Sequence, residues 1–185
     1  MTIRRATLSD IPDMTTIYEH AVLHGTGTYE LDPPNEAELS RRFTHNIGNG
    51  FPWFVSEEDG MVLGYAYASP FRTRPGYRWM IEDSIYVAPE AKGKGIGKAL
   101  LQVLLDECEK LGFHQMVAVI GDGKGNRGSV ALHQSLGFKH SGTIEGSGFK
   151  HGRWVDTVIM QIKLNGGAEH LPDQVKFPAS DWKAL

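Results

Sequence analysis

The sequence predicts a mixed α/β domain with a central, mostly antiparallel sheet flanked by helices, and two patterns support this prediction. The first half of the chain carries two helix patterns and then three consecutive strand patterns that can pair as a meander. The second half alternates strand and helix patterns, which is typical of β-α-β crossovers. The chain has 185 residues, of which 41% are hydrophobic, so we expect one domain with a sizeable core.

A short strand and two helices are predicted at the N-terminus. Pro12 is tolerated in the first turn of the first helix, and Gly25 ends that helix. A loop marked by glycine and proline separates the two helices. The predicted elements are a strand at Thr2 to Ala6, a helix from Ser9 or Asp10 to about Leu23, and a polar helix from Asn35 to about Ile47.

The three strands of the meander are separated by recognisable turns. Glu58-Asp59-Gly60 is a hairpin signal, and the basic segment Pro70 to Gly76 reads as a loop. The strands are predicted at Phe51 to Ser56, Met61 to Ala68 and Tyr77 to Val87.

The second half of the chain ends in two strands and a tail. Periodicity is lost from Asn165 onward, so we divide the chain into a folded domain, residues 1–164, and a C-terminal tail, residues 165–185. We expect the tail to pack on the body or on a partner subunit. The predicted elements are a helix from Ile96 to Leu111, a strand at Phe113 to Ile120, a short helix at Ser129 to Leu136, and strands at Phe138 to Gly142 and Trp154 to Leu164.

The stretch from Ser84 to Leu111 carries the main functional signal. A strand end is followed by the turn Gly93 to Gly97, which opens an amphipathic helix. A glycine turn at the start of a helix gathers unpaired backbone N–H groups and the positive end of the helix dipole at one point. Lysines around the turn add positive charge, so the pattern predicts a phosphate-binding cradle.

Two common phosphate-binding motifs do not fit this turn. The dinucleotide fingerprint G-x-G-x-x-G can start at Gly93 and Gly95, but Lys98 occupies its third glycine position. The P-loop pattern also fails, because neither Gly-Lys-Ser nor Gly-Lys-Thr occurs in the chain. A glycine-rich turn without a ligand remains the alternative.

The motif that does fit is R/Q-x-x-G-x-G/A, with lysine in the first position. With this motif the glycine turn resembles the pyrophosphate loop of the GNAT superfamily of N-acetyltransferases. The resemblance to this superfamily covers about residues 2 to 164. It implies the GNAT fold, with a bulged strand before the loop, and acetyl-CoA (coenzyme A) as cofactor. The implied cofactor-binding residues in this part of the chain are Ile85, Tyr86, Val87, Lys92, Gly93, Lys94, Gly95, Ile96, Gly97 and Lys98.

Two adjacent acids, Glu82 and Asp83, lie inside the apolar strand before the loop. Because side chains alternate along a strand, only one of them can face a given side of the sheet. Apolar surroundings raise the pKa of a carboxyl group toward the range useful for a general base. The segment Glu82 to Val87 resembles the Glu-x-Ser-x-Tyr-Val block of the phosphinothricin and methionine sulfoximine acetyltransferase group, which implies Glu82 as the base. The alternative is that both acids are solvated strand residues.

A second block after the next strand resembles the superfamily pattern N-x-x-[SA]-x-x-L-[YH]. It contains Asn126, Ser129 and His133, and the resemblance implies that Asn126 and Ser129 approach the cofactor. We assign His133 to the catalytic residues, as a proton donor to the departing thiolate or as part of a water relay. The alternative is a histidine that only forms local hydrogen bonds.

The acceptor implied by the resemblance is a small zwitterionic amino acid, whose carboxylate and polar tail need cationic or N–H donors. Basic residues lie just before the catalytic strand or at its start, and aromatic residues there offer a wall. The resemblance also implies a homodimer. The candidate substrate-binding residues are Tyr29, Glu30, Arg72, Arg74, Tyr77 and Arg78.

Charge and cysteine content limit the class of protein. A formal net charge of −3 argues against a nucleic-acid binder that works by neutralising phosphates. The single cysteine, Cys108, is expected in the core and excludes an intrachain disulfide, which is compatible with a reducing cytoplasm. We predict a cytoplasmic protein without a membrane span and assign no metal ligands.

The function predicted from these features is acetyl-CoA-dependent N-acetylation of a small amino-acid-like substrate, such as phosphinothricin, methionine sulfoximine or methionine sulfone. Glu82 is predicted to act as general base in a direct transfer. Two alternatives stay open at this point. One is the same fold acetylating a protein N-terminus, a lysine or a polyamine, and the other is a coenzyme A-binding module without catalytic activity.

Overall fold

A seven-stranded sheet forms the centre of the structure, a computed structural model that describes residues 1–173. The strands are β1 Thr2–Arg5, β2 Trp53–Glu58, β3 Met61–Pro70, β4 Met80–Val87, β5 Gln115–Gly121, β6 Lys139–Lys150 and β7 Arg153–Lys163. The α-helices are α1 Ile11–His24, α2 Glu36–Gly48, α3 Ile96–Lys110 and α4 Arg127–Ser135.

The strands lie in the order β1-β2-β3-β4-β5-β7-β6. Only the β4–β5 pair is parallel; all other pairs are antiparallel. Side chains of a strand alternate between the two faces of the sheet. On one face of β4, Tyr86 packs edge-on against Tyr18 of α1. On the other face, Asp83 contacts His133 of α4. Helices therefore cover both faces, and the predicted mixed, mostly antiparallel sheet is confirmed. Within residues 1–173, no helix is both long enough and apolar enough to cross a membrane.

Two element boundaries differ from the sequence prediction by more than two residues. The strand predicted from Tyr77 begins only at Met80, because residues 75–77 form a short 3₁₀ turn that starts at Pro75. Residues 143–150, predicted as part of a glycine-rich connection, instead form the larger part of β6. Its pairing with β7 shifts register at two places, and such irregular pairing hides the alternation by which a strand is recognised.

The predicted bulge in the strand before the glycine turn is not seen as a register shift against β3, since that pairing is continuous from Ile81 to Val87. The distortion lies on the side of β4 that faces β5. The pairing of β4 with β5 ends at Asp83 and Ala118, although both strands continue beyond these residues. The two strands therefore separate and open a cleft between them.

The first residues after the domain pack on the body. Asn165 Nδ2 donates to the carbonyl oxygens of Glu109 and Phe113, at 2.7 and 2.9 Å. His114 Nδ1 lies 2.8 Å from the carbonyl oxygen of Gly167. The rest of the predicted tail, residues 174–185, lies outside the described residues.

Candidate active site

The cleft between β4 and β5 has a volume of about 1010 Å³. It is bounded by the separated strands, the start of α3, one side of α4 and the loop that follows α1. The volume is in the range of cavities that bind small molecules and cofactors. The separation of the two strands thus creates a cleft into which a ligand of cofactor size can fit.

The glycine turn forms one end of this cleft. Gly93 and Gly95 have φ angles of 78° and 81°, a left-handed conformation that glycine adopts without steric cost. Gly95 is the N-cap of α3, and no side chain caps this helix. The first N–H groups of α3 are therefore open to an anion, and the exposed Lys92 and Lys98 line the cleft beside them.

The open edge of β4 supplies further backbone donors. The N–H of Ala88 donates to Leu63 O on β3 at 2.9 Å. Because backbone groups alternate in direction along a strand, the N–H groups of Ile85 and Val87 face away from β3, toward the gap left by β5. Sequence reasoning placed a donor at Tyr86 or Val87, and the alternation favours Val87.

Most of the predicted cofactor-binding set lies together in this cleft. Asn126 is the N-cap of α4, and Ser129 lies one turn further on, so both reach the cleft from its α4 side. Lys94 of the glycine turn is exposed and is not among the described residues that line the cleft. The predicted residues that line it are Ile85, Tyr86, Val87, Lys92, Gly93, Gly95, Ile96, Gly97, Lys98, Asn126 and Ser129.

Glu82 lines the cleft from β4, just before the point at which the strands separate. Burial raises the pKa of its carboxyl group to about 7, and the negative charge of Asp83 adds to this effect. The positive charge of Arg72 acts in the opposite direction. A carboxyl group with a pKa near neutral pH is ionised often enough to accept a proton and basic enough to hold it, as a general base requires.

Asp83 and His133 form a buried pair toward α3 and α4. Their side chains are 2% and 4% exposed, and His133 Nε2 lies 3.0 Å from Asp83 Oδ2. His133 Nδ1 lies 2.7 Å from the carbonyl oxygen of Ser129, to which it must donate. Burial by itself would lower the pKa of His133, but the hydrogen bond and charge of Asp83 raise it.

Both nitrogens of His133 thus have partners within the protein. The catalytic role assigned to His133 stays a prediction, and the geometry favours the alternative of a local structural role. His133 and Asp83 still reach the lining of the cleft. The pair joins β4 to α4 beside the point where β4 separates from β5. We therefore infer that it positions Glu82, the residue next to Asp83.

The loop after α1 closes the cleft over β5. Tyr29 Oη donates to Asp156 O at 3.0 Å and lies 2.9 Å from Thr157 Oγ1. A Cβ atom at Gly121 would lie 2.3 Å from Thr26 O, so only glycine allows the loop to pass this close. The sequence analysis named Tyr29 but did not predict that this loop covers β5. The glycine at the end of the buried strand could have indicated it, since such a glycine often marks a close approach of another backbone.

Asp122 follows β5, roughly where a dinucleotide-binding protein would carry its ribose-binding acid, but its contacts agree with the rejection of that motif. It accepts a hydrogen bond from Thr26 Oγ1 at 2.9 Å and is paired with Arg153, so it links the loop after α1 to β7 and is not free to bind a ribose. The single parallel pair in the sheet also differs from the mostly parallel sheet of that fold.

The remaining candidate substrate residues lie outside the cleft. Glu30 is paired with Arg42 at 2.6 Å, and Arg42 lines a second cavity of about 450 Å³ on the α1–α2 side of the sheet. Among the residues that the structure describes, the linings of these two cavities do not include Arg72, Arg74, Tyr77 or Arg78. Arg72 stacks over Phe71, 5.0 Å from the ring centroid, and its charge reaches Glu82.

Several lining residues were not predicted. They are apolar, small or histidine side chains whose neighbours along the chain give no functional pattern, and their place in the cleft follows from the packing of α1, β5 and α4. They include His20, His24, Ser84, Val119, Ile120, Gly121 and Leu132.

Comparison with known proteins places these features in a family. The model of the acetyltransferase (GNAT) family matches residues 14–138. A phosphinothricin N-acetyltransferase of Alcaligenes faecalis is 44% identical over 172 residues, which cover 93% of this chain and 87% of the relative. An L-methionine sulfoximine/L-methionine sulfone acetyltransferase of Salmonella typhimurium is 39% identical, with coverages of 89% and 95%. The crystal structure of a phosphinothricin acetyltransferase from Sinorhizobium meliloti in complex with acetyl-CoA superposes with a TM-score of 0.94 at 49% identity, covering 98% of both chains.

Proposed function

Because this chain belongs to the acetyltransferase (GNAT) family, we propose that it transfers the acetyl group of acetyl-CoA to the amino group of a small amino-acid-like molecule. The acceptor is of the phosphinothricin, methionine sulfoximine or methionine sulfone type, as in the relatives. The observation that carries the proposal is Glu82, a carboxyl group with a pKa of about 7 in a cleft that also contains an anion cradle.

The residues of the cleft fit acetyl-CoA. The left-handed glycines and the uncapped start of α3 suit a diphosphate, and Lys92 and Lys98 add the charge that a diphosphate needs. The backbone edge of β4 at Ile85 and Val87 suits an amide-bearing arm. When bound, acetyl-CoA supplies the acetyl group as an activated thioester.

In the proposed mechanism Glu82 removes the proton that the acceptor amine carries at neutral pH. The amine can attack only after it loses this proton, and Glu82 is ionised for about half of the molecules near pH 7. The N–H of Val87 donates to the oxygen on which negative charge develops, and a donor that is already in place stabilises that charge without reorganisation.

We propose direct transfer to the amine. A covalent route through a cysteine is not available, because the single cysteine, Cys108, is fully buried in the core. Burial also raises the pKa of its thiol well above the ordinary value, so that thiol is a poor nucleophile. In direct transfer the amine nitrogen would bond to the acetyl carbon while the thioester C–S bond breaks, and coenzyme A would leave as a thiolate that takes up a proton, so no covalent intermediate on the protein is needed.

A panel of acceptors tests the proposed function. With acetyl-CoA present, we expect thiol release with methionine sulfoximine, methionine sulfone and phosphinothricin. Peptides with a free N-terminus, lysine peptides and polyamines are the comparison set, and a faster reaction with any of them would contradict the proposed acceptor. Binding of coenzyme A without turnover on any acceptor would contradict the enzyme assignment.

We also propose a homodimer, which is consistent with an exposed apolar patch on the β6–β7 hairpin. Ile144, Phe149 and Trp154 are 55%, 56% and 68% exposed, and the rings of Phe149 and Trp154 pack 5.2 Å apart. A Trp154→Glu variant is expected to sediment as a monomer, while the unchanged chain sediments as a dimer; a monomeric wild-type protein would contradict the proposal. A cytoplasmic location stays a prediction from composition.

A further inference from the structure

The loop after α1, residues 25–30, forms part of the wall of the active-site cleft, and its first five residues all belong to the lining. The loop lies on the face of the sheet to which Glu82 points. Tyr86 shares this face, since side chains alternate along β4, and it packs against Tyr18 of α1. Tyr18 Oη in turn lies 3.1 Å from Thr28 Oγ1. An acceptor whose amine reaches Glu82 from this face therefore meets the loop.

The cofactor cradle lies on the opposite face of the sheet. A Cβ atom at Gly97, in the first turn of α3, would lie 3.7 Å from the side chain of Val87, which points to the same face as Asp83. The loop reaches toward this side at Gly27, where a Cβ atom would lie 3.0 Å from Asn126 Nδ2. A change in the loop should therefore affect the acceptor more than the cofactor.

The end of the β6–β7 hairpin holds the loop in place. Lys150, the last residue of β6, donates from Nζ to Thr28 O at 2.9 Å. His151 Nε2, in the turn of the hairpin, lies 3.2 Å from Gly25 O. A Cβ atom at Gly148 would lie 2.9 Å from the ring of Tyr29, so β6 and the loop are in close contact. The hairpin thus contacts the loop at its start, middle and end.

Lys150 is a costly residue for this position. It is 3% exposed, and burial lowers the pKa of its amino group, so its surroundings disfavour the charged form. The charge of Glu30 acts in the opposite direction, but Glu30 is paired with Arg42. Lysine is seldom buried without an acidic partner, because its ammonium group loses hydration. An apolar side chain of the same length would fill this place at lower cost, so packing alone does not account for the lysine.

We propose that Lys150 is a positioning residue, which holds the loop after α1 in the conformation that bounds the acceptor end of the cleft. Lys150 is not among the described residues that line the cleft, so it acts through Thr28 and the loop and not on the substrate. The inference rests on the proposed function and adds to it a residue that shapes the acceptor site.

A Lys150→Met variant tests the effect on the reaction. Methionine keeps the length of the side chain and removes the donor to Thr28 O. We expect KM for methionine sulfoximine to rise about tenfold, which corresponds to a loop in the binding conformation in about one molecule in ten. The value of kcat should not change, because a bound acceptor selects that conformation, and KM for acetyl-CoA should change less than the acceptor KM.

Lys139→Met is the matched control, because Lys139 is the exposed first residue of the same strand. It should leave both KM values unchanged. An unchanged acceptor KM in Lys150→Met, or a rise only in the KM for acetyl-CoA, would overturn the proposal.

Amide hydrogen exchange, followed by mass spectrometry on peptides that cover residues 25–30, measures the loop itself and needs no turnover. We expect faster exchange in this segment for Lys150→Met than for the wild type and Lys139→Met, with the exchange of β4 and β5 unchanged. Equal exchange of the loop in the three proteins would overturn the proposal.

Urea unfolding separates positioning from a purely structural role. Because methionine avoids the burial of an amino group, Lys150→Met should be at least as stable as the wild type. A less stable variant with faster exchange throughout residues 1–173 would overturn the proposal in favour of a structural role. If the wild-type enzyme acetylates no amino acid, the proposed function fails, and hydrogen exchange still decides whether Lys150 holds the loop.

Discussion

Replacing Glu82 by glutamine is expected to lower kcat/KM for acetyl transfer by about 10²- to 10⁴-fold, the usual contribution of a general base. Glutamine has nearly the same shape but cannot accept the proton of the acceptor amine. Calorimetry should show unchanged binding of coenzyme A, since the cradle lies at Gly93 to Lys98, away from Glu82. Thiol release at saturating acetyl-CoA is the measurement.

The pH dependence of kcat/KM provides a second test of Glu82 as the base. The pKa of Glu82 is about 7, so the carboxyl group is protonated below pH 7 and cannot act as a base. For the wild-type enzyme, kcat/KM should therefore fall about tenfold for each pH unit below 7. The Glu82→Gln variant should lose this limb of the profile, whereas Glu58→Gln, which changes a half-exposed carboxylate on β2, should keep it. A wild-type limb that persists in Glu82→Gln would place the base elsewhere.

Replacing Asp83 by asparagine is expected to lower the free energy of unfolding below pH 6.5 by about 1–3 kcal/mol, because protonated His133 loses the carboxylate that accepts from its Nε2–H. The side chains of Asp83 and His133 are almost fully buried, so the remaining partner cannot turn to water. Asp106→Asn on the exposed side of α3 is the control, and we expect it to change stability by less than about 0.5 kcal/mol. Urea unfolding measures both.

The same pair makes stability depend on pH. The pKa of His133 is raised from its ordinary value of 6.5 by Asp83, against the effect of burial. Its contribution is therefore fully present below pH 6.5 and is lost as the pH rises through the pKa of the folded state. Asp83→Asn should remove this loss. Unchanged stability with a lower kcat would instead show that His133 acts on the chemistry, as the sequence resemblance implied.

The glycine turn and the opposite orientation of the two acids were predictable because they depend on neighbours in the chain, whereas the choice of Glu82 as base came from the family resemblance and stays a prediction. Glycines at positions 93 and 95 allow the left-handed turn, and the residues that follow have helical periodicity. Alternation along a strand puts Glu82 and Asp83 on opposite faces. These rules act over a few residues and need no knowledge of the rest of the fold.

The partners of these residues were not predictable in the same way. The contact of His133 with Asp83 joins residues 50 positions apart, and the closeness of Gly121 to Thr26 depends on how the first loop crosses β5. The larger part of β6 was also missed, because its register against β7 is irregular. Such contacts are set by strand pairing and helix packing, for which one sequence carries no direct pattern.

The sequence by itself determined the glycine turn before α3 and that Glu82 and Asp83 face opposite sides of the sheet, because turn conformation and strand alternation are local properties of the chain. Only the tertiary structure decided that β4 separates from β5 and that both nitrogens of His133 have partners within the protein. Those features arise where distant segments meet, and their energies depend on burial and distance rather than on order in the chain.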